Sequence, residues 1–597
     1  MRVTGGSGTR WTAPVLLALA AAALYLGLAG SPALVDDDID AAHALVAREI
    51  LQRHDYVVMY QDGIRYLIRP PLHFWLVAAS YAAFGETEFA TRLPVAVAMV
   101  GLVLLTFELG RKFFGQRAGI YSALAVGTSA GMYVFTRTVI PEAIYALELT
   151  AVFYFFLRAW TGDMDPRIGF PAAAAACALA VLTRGPIGVL FPGAAVVAFL
   201  TATGSWCRWR VLHLPLSAAV FLAIAAPWHV LAARRAPGFL WAYFVNEHVN
   251  RALGTRRPHD YSAVPLWLWL VEHFLWLFPW SAFAFLLPRV IPPTRTWRRP
   301  PDASAQARLL LFCWAAVILG FFAVESGSRM EYYSFGAWPA LALLIGAAMS
   351  DAETSRPRSL VRAQRALAAL AAVYALAAVW FLRMERAGGN GDITSDLRTH
   401  GADFYKSSMA RVGDLTPDAL ARLSVPIAVA AVSLAAGFVG AWLLRERKRH
   451  VASSVLLAAG MCGAFVAANL AYRALEPSLS SRELARAICR PPMPDDEIVL
   501  YGDIRVAPGI AFYCRRRVLL YGAAESNLEF GSRFPDAPRT FLADSDFLPL
   551  WNGPGRVLLV VSADRDREAI GKLPAGSARV LARSGDKTVY ENRPVEP

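Results

Sequence analysis

Residues 12–40 read TAPVLLALAAAALYLGLAGSPALVDDDID, an apolar run that ends in Asp36, Asp37, Asp38 and Asp40. The run from about 12 to 30 is close to the ~20 residues that cross a hydrocarbon core. Arg2 and Arg10 precede it, so a cleaved signal peptide is the competing reading. The run is long for that purpose, and many similar runs follow. It is therefore read as an uncleaved first helix that starts in the cytoplasm, with the aspartates just beyond its far end.

Further apolar runs fall near 93–110, 118–135, 142–160, 170–184, 187–203, 214–233, 265–288, 308–324, 333–350, 365–383, 423–444 and 451–472, which makes about thirteen spans with the first. Composition agrees. The chain has 597 residues, 56% apolar and 18% charged, with a mean hydropathy of +0.40; a soluble protein carries about a quarter charged residues. The net charge of +13 would raise nucleic acid as a partner in a soluble chain. Here the basic clusters lie between apolar runs: RKFFGQR at 111–117, CRWR at 207–210, RTWRR within 289–308, RPRSLVRAQR within 351–365 and RERKRH at 445–450. All five fall on the cytoplasmic side of a thirteen-span chain, as the positive-inside rule requires. Nucleic acid is thus no expected partner, and membrane lipids are.

An odd number of spans from a cytoplasmic start puts the tail outside. The expected division is a transmembrane domain over 1–475, with an outer loop at 31–92 carrying juxtamembrane helices, and an extracytoplasmic α/β domain over 476–597. Within the tail, EIVLYGD, GIAFYC, RRVLLYG, RVLLVVSAD and KTVYENR read as short strands. Cys489 and Cys514 lie there and are able to pair in an oxidising compartment. No CxxC or His/Cys spacing suggests structural zinc. The expected fold is mainly α, a polytopic membrane protein with a C-terminal soluble α/β domain.

The stretch 35–75 carries the chemistry. After the acids, Ala42, Leu45, Val46 and Ile50 recur at helical spacing, the pattern of an amphipathic helix lying in the membrane interface. An acidic loop of this kind is most often simply solvated, but carboxylates held at a bilayer boundary are often functional. Arg48-Glu49-Ile50 follows, then Gly63-Ile64-Arg65-Tyr66-Leu67-Ile68-Arg69-Pro70-Pro71-Leu72 with Trp75, then Phe84-Gly85 and Glu88-Phe89-Ala90-Thr91-Arg92-Leu93-Pro94. In this order the motifs resemble the bacterial glycosyltransferase family 39 type of the GT-C superfamily, which includes protein mannosyltransferases and lipid A aminoarabinose transferases. The resemblance covers about residues 12–350. The family's lysine before Pro-Pro is Arg69 here, and the acid that can precede it is Ile68. His43 stands near a tyrosine position of the family's first motif.

The resemblance implies a polyprenyl-phosphate sugar donor, a lipid or protein acceptor (lipid A, a protein hydroxyl or an envelope glycan) and an inverting single displacement at the periplasmic face of the bacterial inner membrane. It implies a carboxylate as general base, Asp38 first with Asp37 and Asp40 beside it. It makes Glu142, in TRTVIPEAIY, a second acid, although an acid at a helix start is equally a cap. The donor phosphate falls to Arg69, Arg184 of LTRGPIGVL, Arg251 of VNEHVNR and Arg329, Tyr332 and Tyr333 of ESGSRMEYY, with Arg137 also a candidate. A surface ion pair between Glu247 and Arg251, and interfacial anchoring for the tyrosines, are the plainer roles. No cofactor is certain; Glu247 and His248 are the residues able to hold a divalent metal ion. A transporter or flippase of lipid-linked sugars is the alternative in another class, but no internal repeat of the kind common in transporters is found.

Overall fold

The computed structural model describes residues 12–36, 39–258, 263–325, 327, 329–386, 422–489, 496–523 and 526–592. Asp37 and Asp38 lie outside them. The first elements are α1 (Thr12–Tyr25), α2 (Asp40–Arg53), the two-residue strands β1 (Tyr60–Gln61) and β2 (Ile64–Arg65), α3 (Leu72–Phe84) and α4 (Glu88–Phe114). Then come α5 (Gln116–Thr128), α6 (Ala130–Val134), α7 (Glu142–Trp160), α8 (Pro166–Arg184), α9 (Ile187–Thr203), α10 (Leu214–Arg235) and α11 (Leu266–Trp276).

Among the described residues nine helices are long and apolar enough to span a membrane: α4, α7, α8, α10, Ala303–Val324, Tyr333–Ser355, Pro357–Arg383, Ser424–Glu446 and His450–Ala474. α1, α3 and α9 are shorter apolar helices. Two expected spans are broken. The run at 265–288 becomes α11 and Trp280–Val290, bent by 108°; Pro279, which has no N–H to give, sits at the bend. The run at 118–135 divides at Ser129, whose backbone is extended. The break is stitched across: Ala130 N donates to Phe278 O at 2.9 Å. Irregular backbone at membrane depth needs such internal partners.

Local sequence explains the helix ends. Thr87 caps α4 through the Ala90 amide at 3.1 Å, with Glu88 in the first turn and Arg111 and Lys112 in the last, the order that suits a helix dipole. Ser424–Glu446 and His450–Ala474 approach closely because Gly437 faces Gly460; a Cβ on Gly437 would lie 2.5 Å from the Gly460 Cα.

The C-terminal sheet has six strands in the order β5-β4-β3-β6-β8-β7. Here β3 is Glu497–Tyr501, β4 Leu519–Tyr521, β5 Phe541–Leu542, β6 Val557–Ser562, β7 Arg579–Ser584 and β8 Lys587–Glu591. β3 to β6 run parallel, and β8 pairs antiparallel with β6 and β7. β6 is buried throughout, as a central strand covered on both faces must be. Val499, Tyr501 and Leu559 pack on one face with Phe547 and Trp551. Ile498, Leu500 and Leu558, on the other, join a core with Leu45, Val46 and Ile50 of α2 and Phe74 of α3.

That shared core corrects two expectations. α2 is no interface helix: every residue from Asp40 to Ile50 is buried, because the C-terminal domain covers it. GIAFYC is no strand either. Pro508–Cys514 is a helix with Pro508 in its first turn, where proline fits. Arg48 of α2 donates to Ala511 O at 3.2 Å and Phe512 O at 2.7 Å near the end of that helix, where carbonyls lack helical partners. Cys489 and Cys514 are joined in a disulfide.

Candidate active site

The N-terminal ends of α3 and α7 and the C-terminal end of α8 converge beneath α2. Pro70 and Pro71 keep the chain from continuing a helix before α3, so Arg69 is presented at the start of that turn. Pro141 opens α7 and puts Glu142 in its first turn. α8 stops at Gly185, whose φ is +84°; a Cβ there would meet His248 Nε2 at 2.6 Å. The stop leaves Arg184 as the last helical residue. Residues 241–250 form a π-type helix carrying Glu247 and His248.

These pieces enclose a pocket of about 30 Å³, lined by His43, Arg69, His73, Arg184, Glu247 and His248 among others. Arg184 pairs with Glu142 at 2.7 Å and lies over the Tyr333 ring at 5.3 Å. Arg251 donates to the Tyr333 hydroxyl at 3.0 Å. The Glu247 carboxylate sits between Arg256, 2.6 Å from one oxygen, and Arg251, 3.0 Å from the other. Burial raises its pKa, but Arg251 and Arg256 outweigh that and hold it below the usual glutamate range. Burial lowers His248 to about 4 and takes His43 well below its ordinary value, so both rings are neutral at pH 7. The buried Nε of Arg69 has no hydrogen-bond acceptor among the described residues. The site gathers more guanidinium groups than carboxylates, a cradle for an anion with several oxygens.

Other expected site residues lie elsewhere. Arg329 donates to Phe322 O at 2.6 Å, Glu325 O at 2.7 Å, Val264 O at 3.0 Å and Ala323 O at 3.2 Å. It closes the end of helix Ala303–Val324, and its donors are committed there. Tyr332 stays at the edge of the site, packed on Tyr333 with ring centroids 5.2 Å apart and on Phe135 at 5.5 Å. Arg137 stacks over Tyr133 at 4.8 Å, toward α1 and α6. Asp40 is fully buried: it accepts from Val35 N and Arg92 at 2.8 Å and from Val139 N at 3.0 Å. It fastens α2 to α4 and to the loop before α7, and these bonds engage the carboxylate that the sequence offered as a base. Asp36 is likewise committed, accepting from Gly509 N at 2.9 Å and from Ser481.

Comparison with known proteins sets this geometry in a lineage. The model of the dolichyl-phosphate-mannose-protein mannosyltransferase family matches residues 68–230. An undecaprenyl phosphate-alpha-4-amino-4-deoxy-L-arabinose arabinosyl transferase of Pectobacterium carotovorum is 26% identical, over 90% of this chain and 90% of that protein. One of the same name from Aeromonas salmonicida is 25% identical over 98% and 99%. The crystal structure of ArnT from Cupriavidus metallidurans bound to undecaprenyl phosphate superposes with a TM-score of 0.81 at 25% identity, covering 99% of this chain and 100% of that one. This chain is a GT-C membrane glycosyltransferase. The resemblance on the first-loop motifs therefore holds along the whole molecule, including the C-terminal sheet that the motifs do not reach.

The geometry of this glycosyltransferase does not fit the expected metal at Glu247 and His248. Both Glu247 oxygens face guanidinium groups, and Ile68 brings no donor. His248 Nδ1 is 2.6 Å from Tyr243 O, which leaves Nε2 as its one open position. Among the described residues no group of three or more His, Cys, Asp or Glu is placed to hold a metal ion. Sequence reasoning also missed Arg256, whose pairing with Glu247 nine residues away in a loop leaves no periodic signal, and the His43–His73 pair, whose rings lie 5.6 Å apart.

Proposed function

We propose that this transferase takes a sugar from a polyprenyl phosphate and passes it to lipid A at the periplasmic face of a bacterial inner membrane. The observation that carries the reading is that Arg69 and Arg184 line one pocket, with Arg251 joined to it through Glu247 and Tyr333 through Arg184, the four drawn from separate segments. In the donor the phosphate is a diester. When the bond from the anomeric carbon to the phosphate oxygen breaks, the phosphate departs as a monoester with an added negative charge. Fixed guanidinium donors stabilise that developing charge at no reorganisation cost. Arg69 and Arg251 hold the phosphate, Tyr333 orients Arg251, and Glu142 orients Arg184.

The acceptor oxygen forms the new bond to the anomeric carbon from the opposite face, and a carboxylate takes its proton. Asp36 and Asp40 are spent in structural bonds, which supports Asp37 and Asp38 as the carboxylates available, Asp38 first. The basic loops between spans and the Cys489–Cys514 bond support a cytoplasmic start and a periplasmic tail. Acceptor choice rests on the resemblance to the aminoarabinose transferases.

The test is turnover by the purified protein in detergent, with a labelled polyprenyl-phosphate sugar and lipid A, read as release of polyprenyl phosphate and label on the acceptor. Asp38→Asn is expected to abolish transfer and retain donor binding. Undiminished transfer in an Asp37→Asn/Asp38→Asn double variant would remove these acids from the mechanism. Donor bound without release in any acceptor's presence would favour a carrier of lipid-linked sugars.

A further inference from the structure

A second and larger pocket, of about 530 Å³, opens where the turn between α3 and α4 meets the C-terminal domain. It shares no lining residue with the pocket around Arg69. Arg48, Arg482, Arg486 and Arg515 line it against two acids, Glu86 and Glu88. The acids are already engaged. Glu86 receives Arg48 at 2.9 Å, and Glu88 accepts from the Tyr513 hydroxyl at 3.1 Å. Arg515 is exposed and reaches Glu86 only at 3.5 Å. Arg486 is exposed and makes no ion pair among the described residues. Arg482 pairs with Glu88 at 3.4 Å and with Glu476, and its buried Nε has no acceptor among the described residues. The pocket thus presents an excess of guanidinium donors on a wall fixed by the Cys489–Cys514 bond.

Its position decides the ligand. Glu86 and Glu88 stand where α4 enters the apolar layer. Phe84, 59% exposed, and Phe89, 36% exposed, flank them, packed edge to face with centroids 6.2 Å apart. Exposed aromatic rings at a span's end belong to the headgroup boundary. Guanidinium groups just outside that boundary meet lipid phosphates at their own depth. A soluble anion would need the arginines but not the apolar lip.

We propose that this pocket binds the phosphate of an anionic lipid headgroup, admitted sideways from the membrane past Phe84 and Phe89 and held by Arg482, Arg486 and Arg515. The site is separate from the transfer reaction and does not depend on its donor or acceptor.

The test uses the full-length protein in phosphatidylcholine mixed micelles titrated with phosphatidylglycerol, with retained lipid counted by native mass spectrometry. The Arg486→Glu/Arg515→Glu variant is expected to weaken phosphatidylglycerol retention at least ~tenfold, with an unchanged unfolding midpoint in phosphatidylcholine alone. Arg539→Glu/Arg567→Glu, an equal charge change outside the pocket, is expected to leave retention as it was. Wild-type retention in the pocket variant, or an equal loss in the control, overturns the proposal. Full displacement by millimolar inorganic phosphate also overturns it, since the pocket then serves a soluble anion. Should the charge reversal misfold, Arg486→Gln/Arg515→Gln takes its place and must lose retention in the same direction.

Discussion

Lys587 of β8 places its Nζ 3.3 Å from the Asp36 carboxylate, just beyond the first helix. Both side chains are almost wholly buried, and Asp586 lies 3.1 Å from the same ammonium. The pair fastens the C-terminal sheet to the outer loop. Removing one partner of a buried ion pair strands the other, at a cost of about 3–5 kcal/mol. Lys587→Met is therefore expected to lower the unfolding midpoint clearly and to open the C-terminal domain to trypsin. Asp36→Asn/Lys587→Met should recover part of that loss, and a double-mutant cycle on thermal unfolding checks it.

A second tie between the same parts, in which the Val518 amide donates to Asp62 at 3.3 Å, depends on pH. Burial, and then the nearby Glu49, push Asp62 up to about 7. An acid whose folded pKa is raised binds its proton more tightly when folded, so its contribution is full at low pH. Stability is then lost as pH rises from about 4 to about 7, by up to roughly 4 kcal/mol. Unfolding midpoints across that range should fall in the wild type, and the fall should flatten in Asp62→Asn. Parallel curves would show that Asp62 does not titrate there.

Arg251 is expected to matter through its geometry as well as its charge. Arg251→Lys keeps the cation but loses the fork that meets Glu247 and Tyr333 together, and turnover should fall about 100-fold. Tyr333→Phe removes one hydrogen bond to a charged group and should cost about tenfold. Both are read as initial rates of polyprenyl phosphate release, with donor affinity measured separately.

Chelation is expected to leave the rate unchanged, because arginines occupy the positions around Glu247 where a cation would sit. Prolonged treatment with EDTA followed by the release assay checks this. A loss restored by zinc or magnesium would contradict the pairing described.

Arg329 is expected to act on stability. Arg329→Ala strands three carbonyls at the end of Ala303–Val324 and that of Val264, and the unfolding midpoint should drop by the equivalent of a few kcal/mol. Residual turnover per folded molecule should stay near that of the wild type.

Much of this molecule is written in one dimension. Apolar runs long enough to span, basic loops on one side and the Arg69-Pro70-Pro71 turn are local patterns, so the helices and the position of Arg69 followed from them. What escaped depends on partners distant in the chain. α2 shows an amphipathic pattern, yet its polar face is buried because α3 and the helix Pro508–Cys514 pack on it. Asp40 looked like its neighbours until Arg92 and the Val139 amide were brought against it. Arg329 resembled a ligand-binding cation because nothing in its neighbours announces that four carbonyls will claim it. GIAFYC has strand-like residues, but the proline before it starts a helix and the sheet has no place for another strand there.

The Cys489–Cys514 bond makes the chain's orientation chemically legible. Disulfides of this kind persist in oxidising compartments and are reduced in the cytosol. A molecule inserted upside down would retain two free thiols in its tail, and a thiol-reactive mass tag applied to intact and broken cells would count them. Which side of the bilayer the tail has reached is thus stored in a covalent bond.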